Sequence, residues 1–354
     1  MDLLPDVPKD PIHSDKTHRK NRQDKKTIMT DLEKNAFIQI LRKTAVTRAE
    51  LARKLGISRP TASTVAENLL KSGLIRECGK GKSTGGATPT LLSANENAFF
   101  HIGIDFGYTD SMSAVLIDGA GDIIRKDEIQ FDPADINSIT GCAAILAEKL
   151  GTGFKVNGVA VALSAIIDES SMRVIKSINP LFCSPGLRGK LEQKLGHPVS
   201  FTNRSRAAAI SEAFGGAADG ETDFALISLG KSVGAAFWCS GKLFTGSGCS
   251  AGEIRNLRIS GGERLENALS RERVAPLPRQ VIVDICADAL SQIIDIMDLK
   301  QLVLSGRFTD FGTGFSRQLE QALLPHRVRV KQSGFGRFSA ARGSAFRMME
   351  NTVG

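Results

Sequence analysis

The chain reads as an α/β protein in which an N-terminal winged helix-turn-helix precedes a larger, layered α/β domain. Three observations predict this. Residues 47–77 carry the punctuation of two helices and a tight turn, the excess positive charge is confined to the same quarter of the chain, and after residue 99 apolar strands alternate with helical stretches.

Taken in order, residues 1–30 form a polar tail whose Lys and Arg are interleaved with five Asp, a composition expected to stay disordered. Leu32, Ala36, Phe37, Ile40 and Leu41 mark a supporting helix over about residues 31–44. Thr47 caps the next helix, with Glu50 completing a capping box, and Leu51, Ala52 and Leu55 supply its apolar face. Gly56-Ile57-Ser58 is the turn, Ser58 caps the second helix, and Pro60 sits in its first turn. Along that helix Ala62, Val65, Ala66, Leu69 and Leu70 form one apolar stripe before a stop at Gly73. Arg59, Thr61, Ser63, Thr64, Asn68 and Lys71 remain outward, and this is the surface a major groove requires: short polar groups for base edges and cations for phosphates. An ordinary helical hairpin would share the stripe, but it has no need of both caps, the turn length and the Gly73 stop together. Residues 74–77 and 88–92 are short strands flanking a glycine-rich hairpin over 79–86, a wing on which Lys80 and Lys82 can touch phosphates or a minor groove. That hairpin is no nucleotide cradle, since its Gly-Lys-Ser is not followed by a helix. The DNA-binding domain is thus read as residues 31–92 and a polar linker as 93–98.

Charge supports a polyanion partner for this domain alone. Residues 1–90 hold 18 Lys and Arg against 10 Asp and Glu, and residues 91–354 hold 28 against 28, so the whole net charge of +8 lies in the first quarter. One Trp and one Tyr argue against a stacking platform for single strands, leaving double-stranded DNA. Six cysteines without a CxxC pair indicate neither a disulfide framework nor a zinc knuckle. No apolar run is long enough to span a membrane and no apolar leader follows the first charges, so the expected location is the cytoplasm.

In the second domain, residues 99–105 form a strand ending in Asp105, and residues 113–118 return as its neighbour. Residues 158–163 and 224–230 are further buried strands, with helices near 136–150, 206–214, 278–296 and 314–323. No internal repeat is visible. His101, beside a strand start, reads as a packed residue.

From about residue 35 onward the chain resembles the ROK family of sugar kinases and transcriptional repressors, whose repressor branch carries a winged helix at this place. IGIDFGYTDSMSAVLIDGAGDII looks like the family's first phosphate hairpin, with Asp105, Gly107 and Thr109 on its Asp-x-Gly-x-Thr. SLGKSVGAAFWCSGKLFTGSGCSAGEI looks like the second phosphate hairpin and the sugar-contacting Gly-Glu turn, and LVLSGRFTDFGTGF like the adenosine turn. The resemblance implies a two-lobed, actin-like ATPase (sugar kinase) fold over residues 99–354, with lobes at about 99–205 and 206–335 and a final helix at about 338–351.

The departures from the family are as telling as the matches. In PVSFTNRSRAAAISEAF, Asn203 matches the family's Asn-Asp pair, but Arg204 stands where the Asp acts as general base for the sugar hydroxyl. A guanidinium stays protonated and cannot take that proton. Asn256 stands at the position of a zinc-ligating His, and SGGERLENALS replaces the family's cysteine stretch, so no zinc is expected. Tyr108, Lys231-Ser232 and Ser305 alter the nucleotide loops, and ATP is not expected as a cofactor either. Glu253 and Glu266 fall on the family's sugar-contacting glutamates. Together these features imply a DNA-binding transcriptional regulator, read as a repressor of dimeric or tetrameric build, binding an inverted-repeat operator. Its kinase-like domain senses a sugar or sugar derivative through Asn203, Arg204, Glu253, Asn256 and Glu266, with Asp168 and Asn179 as secondary candidates. The alternative is an active sugar kinase with an accessory DNA domain. Arg204 and Arg206 are expected either to pair with the two glutamates and fill the cleft, or to hold an anionic ligand.

Overall fold

The computed structural model describes residues 29–42, 45–82, 88–107, 111–229 and 232–352. The expected N-terminal tail, the wing tip at 83–87, and the loop positions Tyr108, Thr109, Gly230 and Lys231 lie outside the described residues.

Helix α1 (Asp31–Leu41) begins at Thr30, whose hydroxyl accepts from the Glu33 amide while the Glu33 carboxylate accepts from the Thr30 amide. A two-residue strand that the sequence did not suggest, β1 (Val46–Thr47), pairs with residues 91 and 92. Its last residue also caps α2 (Arg48–Leu55), again with a reciprocal Glu50 bond. Gly56, at φ 66°, ends that helix in the left-handed conformation that glycine adopts at least cost. Ser58 then caps α3 (Arg59–Lys71), accepting from the Thr61 amide at 3.2 Å. Ala62, Val65, Ala66 and Leu69 face inward against Phe37, Ile40 and Leu51, whereas Leu70 is only half-buried. The hairpin of β2 (Ile75–Lys80) and β3 (Thr90–Ala94) completes a three-stranded antiparallel sheet in the order β1-β3-β2.

Ser93 and Ala94, expected in the linker, instead close β3. The next turn is tied to both sides: Asn95 donates to the Gly73 carbonyl at 2.7 Å, and the Gly119 amide donates to the Glu96 carbonyl at 3.0 Å.

The remaining chain forms two lobes. The first contains β4 (Phe100–Asp105), β5 (Ser111–Ile117), β6 (Ile123–Gln130), α4 (Ile136–Gly151), β7 (Val156–Leu163), a small hairpin of β8 (Ala165–Asp168) and β9 (Arg173–Ser177), α5 (Leu187–Leu195) and β10 (Val199–Asn203). Helix α6 (Arg204–Ala213) leads into the second lobe: β11 (Phe224–Leu229), β12 (Val233–Cys239), β13 (Lys242–Phe244), the short α7 (Leu265–Ala268) and α8 (Arg271–Val274), α9 (Arg279–Met297), β14 (Gln301–Gly306), α10 (Thr313–Ala322) and β15 (Arg329–Gln332). Helix α11 (Ser339–Thr352) crosses back onto β4 and α6. The sheets are ordered β10-β7-β4-β5-β6 and β13-β12-β11-β14-β15. Each has an antiparallel three-strand meander beginning at its central strand, with two parallel strands added on the other side. The two lobes therefore repeat one topology, although the sequence shows no repeat. Where α11 crosses α6, Gly343 lies on the Ala207 carbonyl so closely that any Cβ would collide with it.

The N-terminal unit is docked on this body rather than tethered to it. Ala36, Phe37 and Ile40 share one apolar cluster with Phe99, Phe214, Trp238 and Phe346, and Phe37 meets Phe99 edge to face at 6.3 Å. His101, wholly buried beside Phe99, is pushed down to about 4 by burial and is neutral at neutral pH, as a packed residue should be. Arg42, capping the end of α1, lays its guanidinium on Phe214 at 5.1 Å and donates to the Gly241 carbonyl at 3.0 Å, in the turn between β12 and β13. Arg42→Ala is expected to cost about 1–2 kcal/mol of docking, since partly desolvated cation–π contacts run to about 2 kcal/mol. Hydrogen exchange checks it: the α1 and β3 amides should exchange faster while those of β7 do not.

Candidate functional site

Two surfaces carry the residues singled out from the sequence. The first is the outer face of α3, where Arg59, Thr61, Thr64, Asn68 and Lys71 are exposed and Ser63 is half-buried. Several are already engaged. The Thr61 hydroxyl shares a hydrogen bond with Ser58 at 2.7 Å, Thr64 donates to the Pro60 carbonyl at 3.2 Å, and Asn68 donates to Glu33 at 2.8 Å. Each keeps capacity for another partner, because a hydroxyl has two lone pairs and an amide has a second N–H and its oxygen. Lys80 and Lys82 are exposed on the wing side, with Lys80 donating to Thr90 at 3.0 Å. Arg53 and Lys54 in the last turn of α2 add exposed cations that the sequence reading passed over.

The second surface is the cleft between the lobes, lined by Ser164, Ala165 and Asn203 on one side and by Ser228, Gly234 and Glu253 on the other. Asp105 ends β4 and is fully buried. Burial pushes its carboxyl above the usual carboxylate range, while Arg204 and the Gly107 amide draw it back. Arg204, at the start of α6, donates Nε–H to both Asp105 oxygens at 2.9 and 3.1 Å and Nη1–H to the Ser228 hydroxyl at 2.9 Å. One guanidinium therefore bridges the first lobe to the second. It lies so close over Gly107 that a Cβ there would sit 2.5 Å from its Cδ.

Arg206 makes a second bridge. It donates to the Ile167 carbonyl in the first lobe at 3.3 Å, and to the Thr245 and Cys249 carbonyls in the second at 3.4 and 2.6 Å. The pairing of these arginines with Glu253 and Glu266 is not what forms. Buried Asp105 needs a cation more than the partly exposed glutamates do, and Arg204 is the one within reach. Glu253 pairs with Arg255 at 3.4 Å instead, and Glu266 accepts from Ser232 at 2.7 Å. Asn203 caps α6 through its carbonyl oxygen and donates to Ala165 at 2.8 Å. The structure thus brings Asn203, Arg204 and Glu253 to one cleft, sets Glu266 behind Ser232, and leaves Asn256 exposed outside it. Asp168 closes a turn on Ser170 and Ser171, which hold its carboxyl down to about 2, and Asn179 bonds the Pro133 carbonyl. Only about 50 Å³ remains open in the cleft, far below the several hundred Å³ of a small-molecule pocket.

Glu169, which sequence reasoning missed in favour of its neighbour Asp168, accepts from Thr202 at 2.7 Å and lies 3.8 Å from Arg206. From it the charges run on to Arg347 at 3.4 Å and Glu350 at 3.0 Å, whose carboxylate in turn acts on Arg42. An alternating series of charges therefore leads from the cleft to the docked N-terminal unit. Over residues 260–270, where the resemblance implies a zinc stretch, protein groups hold the segment. Ser260 donates to Asp288 at 3.0 Å, and Arg273 pairs with Glu263 at 3.1 Å. Among the described residues no His, Cys, Asp and Glu trio is placed to hold a metal, and no helix is long and apolar enough to cross a membrane.

Comparison with known proteins agrees with this geometry: residues 101–260 match the ROK family profile. The chain carries a ROK family domain. Over 241 residues it is 27% identical to a xylose repressor of Caldicellulosiruptor bescii, an alignment covering 66% of this chain and 60% of that repressor. The chain thus spans about 60% of the length of such relatives. A solved ROK family transcriptional regulator, a homolog of the Escherichia coli MLC protein, superposes with a TM-score of 0.69 at 15% identity, over 91% of this chain and 95% of that one. A ROK glucokinase from Streptomyces griseus superposes with a TM-score of 0.61 at 19% identity, over 70% of this chain and 98% of that one. The ROK domain is therefore the sugar-kinase-like, two-lobed α/β fold, and the regulator's likeness extends into the N-terminal unit as well.

Proposed function

We propose that this chain is a transcriptional repressor in which residues 31–94 are a winged helix that reads an inverted-repeat DNA operator. In this reading the ROK domain, over residues 99–352, answers to a sugar or sugar derivative, joins copies into a dimer or tetramer, and transfers no phosphate. The observation that carries it is α3, whose capped first turn presents Arg59, Thr61 and Thr64 to solvent. In the cleft that a kinase would use, Arg204 stands where a proton acceptor is needed, and its guanidinium is spent on Asp105 and Ser228. The reading needs neither zinc nor ATP. The xylose repressor supports it by name, and Asn203 and Glu253 are the sugar-contacting groups it favours.

The test is fluorescence anisotropy on duplexes selected from random sequence. Ser63→Ala and Thr64→Ala are each expected to weaken the selected duplex by about 1–3 kcal/mol and a scrambled one far less, whereas Lys82→Ala weakens both alike. Equal losses on both duplexes from the helix variants would remove α3 from base readout. Sugar-dependent ADP release in the same preparation would restore the kinase alternative.

A further inference from the structure

Beside the closed cleft lies a second cavity of about 490 Å³, within the size range of small-molecule sites. Its walls come from the residues just after β4, the segment before α4 and the segment after β9, and include Pro133, Ala134, Ile178, Pro180, Leu181 and Phe182. No charged side chain lines it among the described residues. Asn179, a polar group on its wall, is committed to the Pro133 carbonyl and the Leu181 amide. The remaining hydroxyls, Ser164 and Ser232, sit at the one end that this cavity shares with the cleft of Asn203 and Glu253. Ile178, also common to both, is an apolar wall that the described residues leave 57% exposed.

A bare sugar fits this arrangement poorly. It carries hydroxyls around its ring, each of which would lose water against proline, leucine and phenylalanine without gaining a partner. A molecule with one polar and one apolar end fits both halves. We infer that the effector is a glycoside: its sugar end meets Ser164 and Ser232 toward Asn203 and Glu253, and its apolar aglycone fills the cavity walled by Pro133, Ala134, Ile178 and Leu181. This deepens the sugar-responsive reading above and rests on it. The class follows from the lining: burying an apolar group the size of a phenylalanine side chain is favourable, and that gain is open to a glycoside but not to its free sugar.

Calorimetric titration of the full chain with D-xylose, methyl β-D-xyloside and phenyl β-D-xyloside, and with the corresponding glucose series, tests the inference. In at least one series the phenyl glycoside should bind 10-fold or more tightly than its methyl counterpart. Ala134→Trp, at an exposed position on the wall, should cut that preference below 3-fold, and Ile178→Asn should reduce it too; melting curves verify that both variants are folded. Equal binding of phenyl and methyl glycosides, absence of binding by both phenyl glycosides, or a preference untouched by Ala134→Trp overturns the proposal. A protein that binds its operator and is released by bare sugars alone loses this inference but keeps its function. A protein that binds no duplex loses the function itself, whatever the glycosides do.

Discussion

Arg204→Ala is expected to remove about 3–5 kcal/mol of stability, the cost of stranding one partner of a buried ion pair. Domains of this kind hold only about 5–15 kcal/mol in all, so the loss should be plain in a urea titration. Its pH dependence identifies the cause. Burial already raises the Asp105 carboxyl, and without the guanidinium it rises further. A carboxyl whose folded pKa is raised costs stability above its unfolded value of about 3.9, and the cost grows until the folded pKa is passed. The deficit against the parent chain should therefore be small at about pH 4.5 and large at about pH 8. A deficit equal at both would mean that Arg204 contributes packing rather than charge. Arg204→Asp, the family residue, should fare worse than alanine at neutral pH, because it places a second carboxylate beside the first.

The second large effect concerns Arg206, wholly buried and bonded to three carbonyls across both lobes. Arg206→Ala removes one donor from each of those carbonyls and a cation from beside Glu169, though Thr245 keeps the Ala251 amide and Glu169 keeps Thr202 and Arg347. Each group left unsatisfied costs about 1–3 kcal/mol, offset in part by relaxation and water. A net loss of about 3–5 kcal/mol is expected, together with freeing of the segment from Thr245 to Glu253. Measured by hydrogen exchange, the amides of Ala251 and Glu253 should lose protection in the variant while those of β4 keep theirs. Protection unchanged at both would show that the Gly-Glu turn is held by its own backbone bonds and not by Arg206.

Much of this arrangement was legible in the sequence because it is local. Thr47 with Glu50, and Ser58 with Pro60 just inside the turn, announce helix starts whose capping bonds span three residues, and α2 and α3 begin where those signals place them. The strand ending at Asp105 was visible as an apolar run with an acidic stop. The partner of Arg204 was not legible, because Asp105 is 99 positions away and nothing local marks the pairing. Glu169 was hidden by its neighbour: an acidic residue two steps past a strand core gives no sign whether it closes a turn, as Asp168 does, or joins a charge series. Strand β1 escaped notice because two residues leave no periodicity, and the repeated lobe topology because equal strand order does not require equal residues.

The seat of Arg42 also has a consequence in time. Phe214 and Trp238 carry its guanidinium, Phe214 leans on Phe346 at 4.4 Å, and Glu350 supplies the nearby charge. These groups leave the ribosome long after the N-terminal unit does: at about 5–20 residues per second, Phe346 follows Arg42 by roughly 15–60 s. For that interval the N-terminal unit, with its own caps and apolar residues, has no platform to dock on. On the proposed reading, a chain interrupted before α11 would present a reading head with no governor, able to occupy DNA and indifferent to any effector.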